Sequence, residues 1–98
     1  MKVFYTYILH CADDSFYTGI TNNIERRLAE HNSGYHSESY TYSRRPLKLV
    51  HYEEFQNPND AIAREKQIKK WSRKKKIALI EGDFDSIIKL SKKKFNKE

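Results

Sequence analysis

The stretch that most narrows what this chain can fold into runs from Phe16 to Asn32, where FYTGITNNIERRLAEHN passes from strand-like to helix-like patterning within a few residues. Phe16 to Ile20 has the β-branched and aromatic character of a strand, with Gly19 placed to end or bend it. Asn22 followed three residues later by Glu25 has the spacing of a capping box, so a helix from about Asn23 to Asn32 is expected, stopped by Ser33-Gly34. Ahead of this stretch, VFYTYILHC (Val3 to Cys11) reads as a strand with Tyr5, Tyr7 and Leu9 on one face and Phe4, Thr6 and Ile8 on the other. Both faces carry side chains that call for cover. The turn cluster ADDS joins the two strands into a β-hairpin with a loop of about four residues. LKLVHYEEF (Leu47 to Phe55) is a third strand, and the intervening helix excludes a tight hairpin between it and the second.

The remaining punctuation fills in the order. SGYHSESYTYSRRP, from Ser33 to Pro46, is polar, turn-rich and aromatic, and reads as a long loop. QNPND offers a cap for a helix from Ala61 to about Trp71, Ser72 can restart a helix to Ile80, and Glu81-Gly82 ends it. The tail from Asp83 has the pattern of a short amphipathic helix fraying into lysines. This order predicts an α/β (α+β) domain, a small, mainly antiparallel sheet of three strands flanked by helices. It would occupy residues 1–82, with a basic helix or tail over 83–98. A chain of 98 residues has room for one modest core.

Charge and cysteine use limit the chemistry. Cys11, the only cysteine, excludes an internal disulfide framework and a multi-cysteine zinc site, and it reads as a buried thiol. No apolar run has the length of a membrane span and MKVFYTYILHCADD lacks a secretory cleavage site, so a cytoplasmic location with no membrane partner is expected. The net charge of +6 is uneven: Arg64 to Lys76 holds eight basic residues and one acid. Such a cluster fits a polyanionic partner, most simply nucleic acid, with Lys69, Lys70, Arg73, Lys74 and Lys76 as the candidate grip. A solvated basic face with no partner is the alternative.

Two residues sit where a core has no use for them. On the first helix, Ile24, Arg27, Leu28 and His31 share one sector of about 100° while Arg26 points away. A guanidinium at the edge of a core needs an acceptor, which a phosphate in a cleft beside the sheet would supply. Otherwise its stem packs while its head reaches solvent or pairs with Glu30 or Glu54. On the second helix, Glu65 lies on the apolar stripe of Ala61, Ile62 and Ile68, and a desolvated carboxylate needs a cation. That cation is either Arg27, in an internal ion pair, or a divalent metal, since Mg²⁺ takes as little as one carboxylate when waters and a substrate phosphate supply the rest. Tyr17, beside Gly19, and Tyr7 across the hairpin could bracket one site; each also reads as aromatic core.

Together these residues resemble the GIY-YIG nuclease family. Its second signature element matches Tyr17-Thr18-Gly19, its helix arginine falls on Arg27, and its glutamate falls on Glu65 in AIAREKQIKKW. Tyr5-Thr6-Tyr7 stands for the first element and keeps the tyrosine. The match covers roughly Val3 to Lys76, and RLAEHNSG and RRPLKLV are similar to phrases of the small stand-alone bacterial members. The resemblance implies a metal-dependent phosphodiester hydrolase. Tyr17 would be the leading general base, Tyr7 would orient the water or share that role, Arg27 would hold the scissile phosphate, and Glu65 would bind one Mg²⁺ or Mn²⁺. His31 would contact phosphate or assist Tyr17. The expected substrate is DNA rather than RNA, recognised by structure or backbone, with repair or recombination as the setting and a monomer as the working unit.

His10, His36 and His51 lack a metal-binding spacing, and no phosphate loop or Gly-x-Ser-x-Gly elbow is present. The competing reading is a catalytically inactive nucleic-acid-binding module that uses the same cleft, with Tyr35, Tyr40 and Tyr42 available for base stacking. An adaptor acting through the tyrosine-rich loop is a third.

Overall fold

The computed structural model describes residues 2–95. Two strands, β1 (Phe4–His10) and β2 (Phe16–Thr21), form the expected hairpin, closed by five residues rather than four, and α1 (Ile24–Ser33) follows at once. A loop with one 3₁₀ turn at Tyr42–Arg44 leads to β3 (Lys48–Phe55), after which come α2 (Pro58–Lys69), α3 (Arg73–Glu81) and α4 (Phe84–Phe95). The sheet order is β2-β1-β3 and both pairings are antiparallel. β1 is central because α1 and its loop carry the chain across the sheet before β3 is laid down on the other side.

Side-chain oxygens set the helix starts. The cap of α1 is Asn23, whose Oδ1 accepts from the Arg26 amide at 3.0 Å, one residue later than the expected Asn22. α2 begins three residues earlier than expected. Asn57 caps it, and Pro58, with φ already set for a helix and no N–H to leave unpaired, takes the first position. Ser72 caps α3, while Gly34 and Gly82 end α1 and α3 in the left-handed region at φ of 76° and 74°. The fraying expected at the chain's end falls partly on residues 96–98, outside the described residues.

The central strand buries both faces, as its alternation requires. On one side Tyr7, Leu9 and Cys11 cluster with Leu47, and Tyr17, Leu28 and Leu49 pack against them, so this is the α1 side. On the other, Ile8 clusters with Ile68 of α2 and Leu79 of α3, with Phe16, Val50, Trp71 and Ile87 around them. Thr6 Oγ1 donates to the Ala61 carbonyl at 2.8 Å and ties α2 to that side. α1 and α2 therefore pack on opposite faces of the sheet. Among the described residues no helix is long and apolar enough to cross a membrane.

Candidate active site

The site is built on the α1 side of the hairpin. Tyr7 faces Gly19 across the β1–β2 pair, and a Cβ on Gly19 would lie 2.6 Å from Tyr7 Oη and 3.0 Å from Tyr17 Cε2. Only glycine lets the two rings lie over the strand in this way. Tyr7 and Tyr17 stand 6.3 Å apart between centroids, and His31, projecting from α1, meets both ring edges at 6.2 Å and 5.3 Å. His31 Nε2 is hydrogen-bonded to Tyr7 Oη at 3.0 Å. Interaction with the same hydroxyl raises the pKa of the nearby Arg27 guanidinium, burial opposes it, and the fields of Tyr7 and then Tyr17 add to the rise. Arg27 Nε is buried with no hydrogen-bond partner among the described residues.

Burial decides which of these groups can ionise. Tyr7 is only 2% exposed, and desolvation pushes its pKa up to about 12 although Arg27 pulls the other way. His31 is 4% exposed; desolvation first and the Arg27 charge second hold its pKa below the ordinary value of 6.5, which keeps the imidazole neutral at pH 7. Both of its ring nitrogens have protein partners, since Nδ1 meets Thr41 Oγ1 at 2.8 Å, so it presents no free nitrogen to a phosphate. Tyr17 is half-buried. The ring of Tyr40 stacks on it at 6.1 Å and 23°, and the Arg44 guanidinium lies 3.8 Å over Tyr40.

The structure thus brings Tyr7, Tyr17, Arg27 and His31 together. Glu65 projects from α2, the helix that covers the opposite face and also packs against the edge strand β2, and its ion pair is with Lys69, Oε2 to Nζ 2.7 Å. The acid beside Arg27 is Glu30, at 3.5 Å, so the internal Glu65–Arg27 pair weighed from sequence is not formed. The side chain of Glu65 is 15% exposed and held against one ammonium. No group of three or more His, Cys, Asp or Glu among the described residues could hold a metal. Among the described residues the side chains therefore do not suit an all-protein metal cage.

The basic cluster is partly spent on the fold. Arg64 grips Glu53 through Nε and Nη2 at 2.9 Å and 3.1 Å, and Arg73 pairs with Asp14 at 3.0 Å while lying over Phe16. Lys76 is half-buried, and desolvation lowers its pKa. Among the described residues Lys66, Lys70 and Lys74 make no ion pair.

Two residues with structural reach escape sequence reasoning. Asn32, just after His31, accepts from the Leu47 amide at 2.8 Å and donates to the Leu47 carbonyl at 3.1 Å, which fixes the entry to β3 against α1. Thr41 is fully buried within the loop and touches His31 directly. Neither lies in a periodic pattern that would have drawn attention to it.

Comparison with known proteins follows the same lines. The family model described as the GIY-YIG catalytic domain matches residues 3–78. A UPF0213 protein of Syntrophus aciditrophicus is 55% identical over 76 residues, covering 78% of this chain and 87% of that protein. One from Haloquadratum walsbyi is 46% identical over 81 residues, covering 83% and 90%. The solution NMR structure of the protein EF2693 from E. faecalis matches with a TM-score of 0.59 at 39% identity, over 86% of this chain and 88% of that one. That of the UPF0213 protein BH0048 from Bacillus halodurans matches at 0.53, also at 39% identity, over 81% and 83%.

Proposed function

This chain belongs to the GIY-YIG family, a family of nucleases, and we propose that it is itself a metal-dependent endonuclease that hydrolyses phosphodiester bonds of nucleic acid, DNA in preference to RNA. The observation that carries the reading is the convergence of Tyr7, Tyr17, His31 and the Arg27 guanidinium on one side of the hairpin. The Arg27 guanidinium, with Nε buried and unpartnered and only Glu30 at 3.5 Å as an acid beside it among the described residues, is suited to hold an anion there.

The division of labour follows from burial and partners. Arg27 holds the scissile phosphate. Its side chain is 36% exposed, and Glu30, the acid paired with it among the described residues, stands at a loose 3.5 Å that a phosphate can displace. Tyr17 is the phenol within reach of the attacking water, because Tyr7 is buried with its hydroxyl committed to His31. A phenol works as a base near neutrality only where a cation stabilises its anion, and Arg27 and the bound metal would be the cations here. Tyr7 and His31 then serve as the wall that fixes Arg27 and Tyr17. Glu65, on the helix that also packs against the edge strand carrying Tyr17, would hold one Mg²⁺ or Mn²⁺, which when bound would neutralise charge developing on the phosphate and acidify water. Lys66, Lys70 and Lys74 supply sequence-independent attraction to the backbone.

Two substitutions test the assignment. Glu65→Gln and Tyr17→Phe should each abolish cleavage of labelled branched, single-stranded and duplex substrates in Mg²⁺ or Mn²⁺, with affinity unchanged or, for Glu65→Gln, slightly raised. The salt bridge from Lys69 to Glu65 favours a second reading, a nucleic-acid-binding module whose carboxylate is already neutralised. Folded wild-type protein that binds these substrates and never cuts them would replace the nuclease with the binder, as would a Glu65→Gln variant that cuts normally.

A further inference from the structure

Thr41 sits in the long polar loop between α1 and β3, where a threonine ordinarily faces water. Here it is fully buried. Its Oγ1 lies 2.8 Å from His31 Nδ1 and 3.0 Å from Ser39 Oγ, so the loop delivers two hydroxyls to the back of the histidine whose front meets Tyr7. The loop is anchored for this purpose at both ends. Tyr35 donates its amide to the Glu30 carbonyl at 3.1 Å, and the Ala12 amide donates to the Arg44 carbonyl at 2.9 Å.

Hydrogen-bond accounting gives the contact a direction. Arg27, beside the Tyr7 hydroxyl, can only donate, so it can engage a lone pair of Tyr7 Oη but cannot take its hydrogen. The acceptor within reach of that hydrogen is His31 Nε2. A neutral imidazole accepts at Nε2 only when its proton is on Nδ1, and a proton on Nδ1 needs an acceptor of its own, which Thr41 Oγ1 provides. Ser39 Oγ, 3.0 Å from Thr41 Oγ1, is within reach of the Thr41 hydroxyl hydrogen. The two links with a fixed direction run from Tyr7 through His31 to Thr41.

We propose that Thr41 is a positioning residue for the active site: its hydroxyl selects the Nδ1–H tautomer of His31, which aims the Tyr7 hydroxyl and leaves a Tyr7 lone pair to hold Arg27 in place. This rests on the nuclease reading for its consequence in catalysis, and on the geometry alone for the tautomer. Without the hydroxyl, a buried Nδ1–H has no partner, the proton moves to Nε2, and the hydrogen bond reverses so that His31 donates to Tyr7 Oη. The Tyr7 hydrogen then turns toward the Arg27 side, where a guanidinium cannot accept it, and the lone pair that faced Arg27 is lost. No substrate contact by Thr41 is needed.

The test uses the full chain labelled with ¹⁵N, in long-range ¹⁵N–¹H correlation spectra at pH 8, where His31 is neutral. Wild-type His31 should carry its proton on Nδ1. Thr41→Val, which keeps the shape and removes the hydroxyl, should move it to Nε2 in a large fraction of molecules, and Thr41→Ser should restore Nδ1. With Mg²⁺ or Mn²⁺ and a labelled DNA substrate, Thr41→Val should lower kcat by about 10- to 100-fold, the scale on which losing the partner that orients a metal-bound histidine acts, with KM little changed. Thr41→Ser should cut at close to the wild-type rate. A wild-type Nε2–H tautomer overturns the proposal even if the valine variant does not fold. So does an unshifted tautomer in Thr41→Val, or a shifted tautomer with unchanged kcat. If the wild type cuts nothing, the nuclease reading fails, while the spectra still decide whether Thr41 sets the tautomer.

Discussion

Gly19 carries more of this site than any reacting group, because its missing side chain is the space in which Tyr7 and Tyr17 lie. A methyl group there would meet Tyr7 Oη at 2.6 Å and Cζ at 2.7 Å. The far end of a free tyrosine could swing aside, but this one is buried and hydrogen-bonded to His31. Gly19→Ala should therefore cost about 1–3 kcal/mol in urea unfolding, the range for overpacking a dense core, and should abolish cleavage in the molecules that remain folded. Gly82 is the contrast. Its φ of 74° disfavours alanine, yet a Cβ would meet nothing within 4 Å, so Gly82→Ala should cost about 1 kcal/mol and leave cleavage untouched. Equal loss of activity in both variants would mean that the close approach at Gly19 has no bearing on the site.

At the scale of elements, the helix α1 and the loop after it do the assembling. α1 presents Arg27 and His31 to the sheet, and one residue beyond His31 the Asn32 side chain clamps the backbone of Leu47 in both directions. Asn32→Ala leaves a part-buried amide and carbonyl unpaired, which should cost about 1–3 kcal/mol and raise hydrogen exchange at the Leu47 amide before that of the central strand. Unaltered protection at Leu47 would show that the clamp is idle. The sequence made the elements legible because strand alternation in β1, the capping side chain of Ser72 and the left-handed glycines Gly34 and Gly82 are local signals. The sharing of one helix face by Arg27, Leu28 and His31 was legible for the same reason. Periodicity says which side chains of a helix turn inward, and it does not say on which face of the sheet the helix will lie. The ion pair between Arg27 and Glu65 was conceivable until α1 and α2 were seen on opposite faces, with Glu30 and Lys69 as the respective partners. Thr41 was out of reach for a related reason, since a loop residue is buried by the path of the whole loop and not by a repeat in its neighbours.

For the whole molecule, a net charge of +6 overstates the positive surface in some places and understates it in others. Within the stretch that looks most basic, Arg64 is held by Glu53, Lys69 by Glu65 and Arg73 by Asp14, each at 3.0 Å or less. These pairs add little net field beyond a Debye length, about 8 Å at physiological salt, so long-range attraction falls to the unpaired lysines. A lysine that neutralises a phosphate contributes about 0.9 to the slope of log affinity against log salt on duplex DNA, through counterion release. Replacing Lys66, Lys70 and Lys74 together by Ala should thus flatten that slope by about two to three. Replacing Arg64 by Gln should leave it nearly unchanged, because the charge it removes is already balanced by Glu53. Arg64→Gln also strips Glu53 of its partner, so the variant should lose stability while keeping its salt dependence. The measurement is a binding titration of one labelled duplex at several salt concentrations. If the triple variant keeps the wild-type slope, the nucleic acid lies against another face, and the Arg44 and Arg45 loop beside Tyr17 is then the surface to probe.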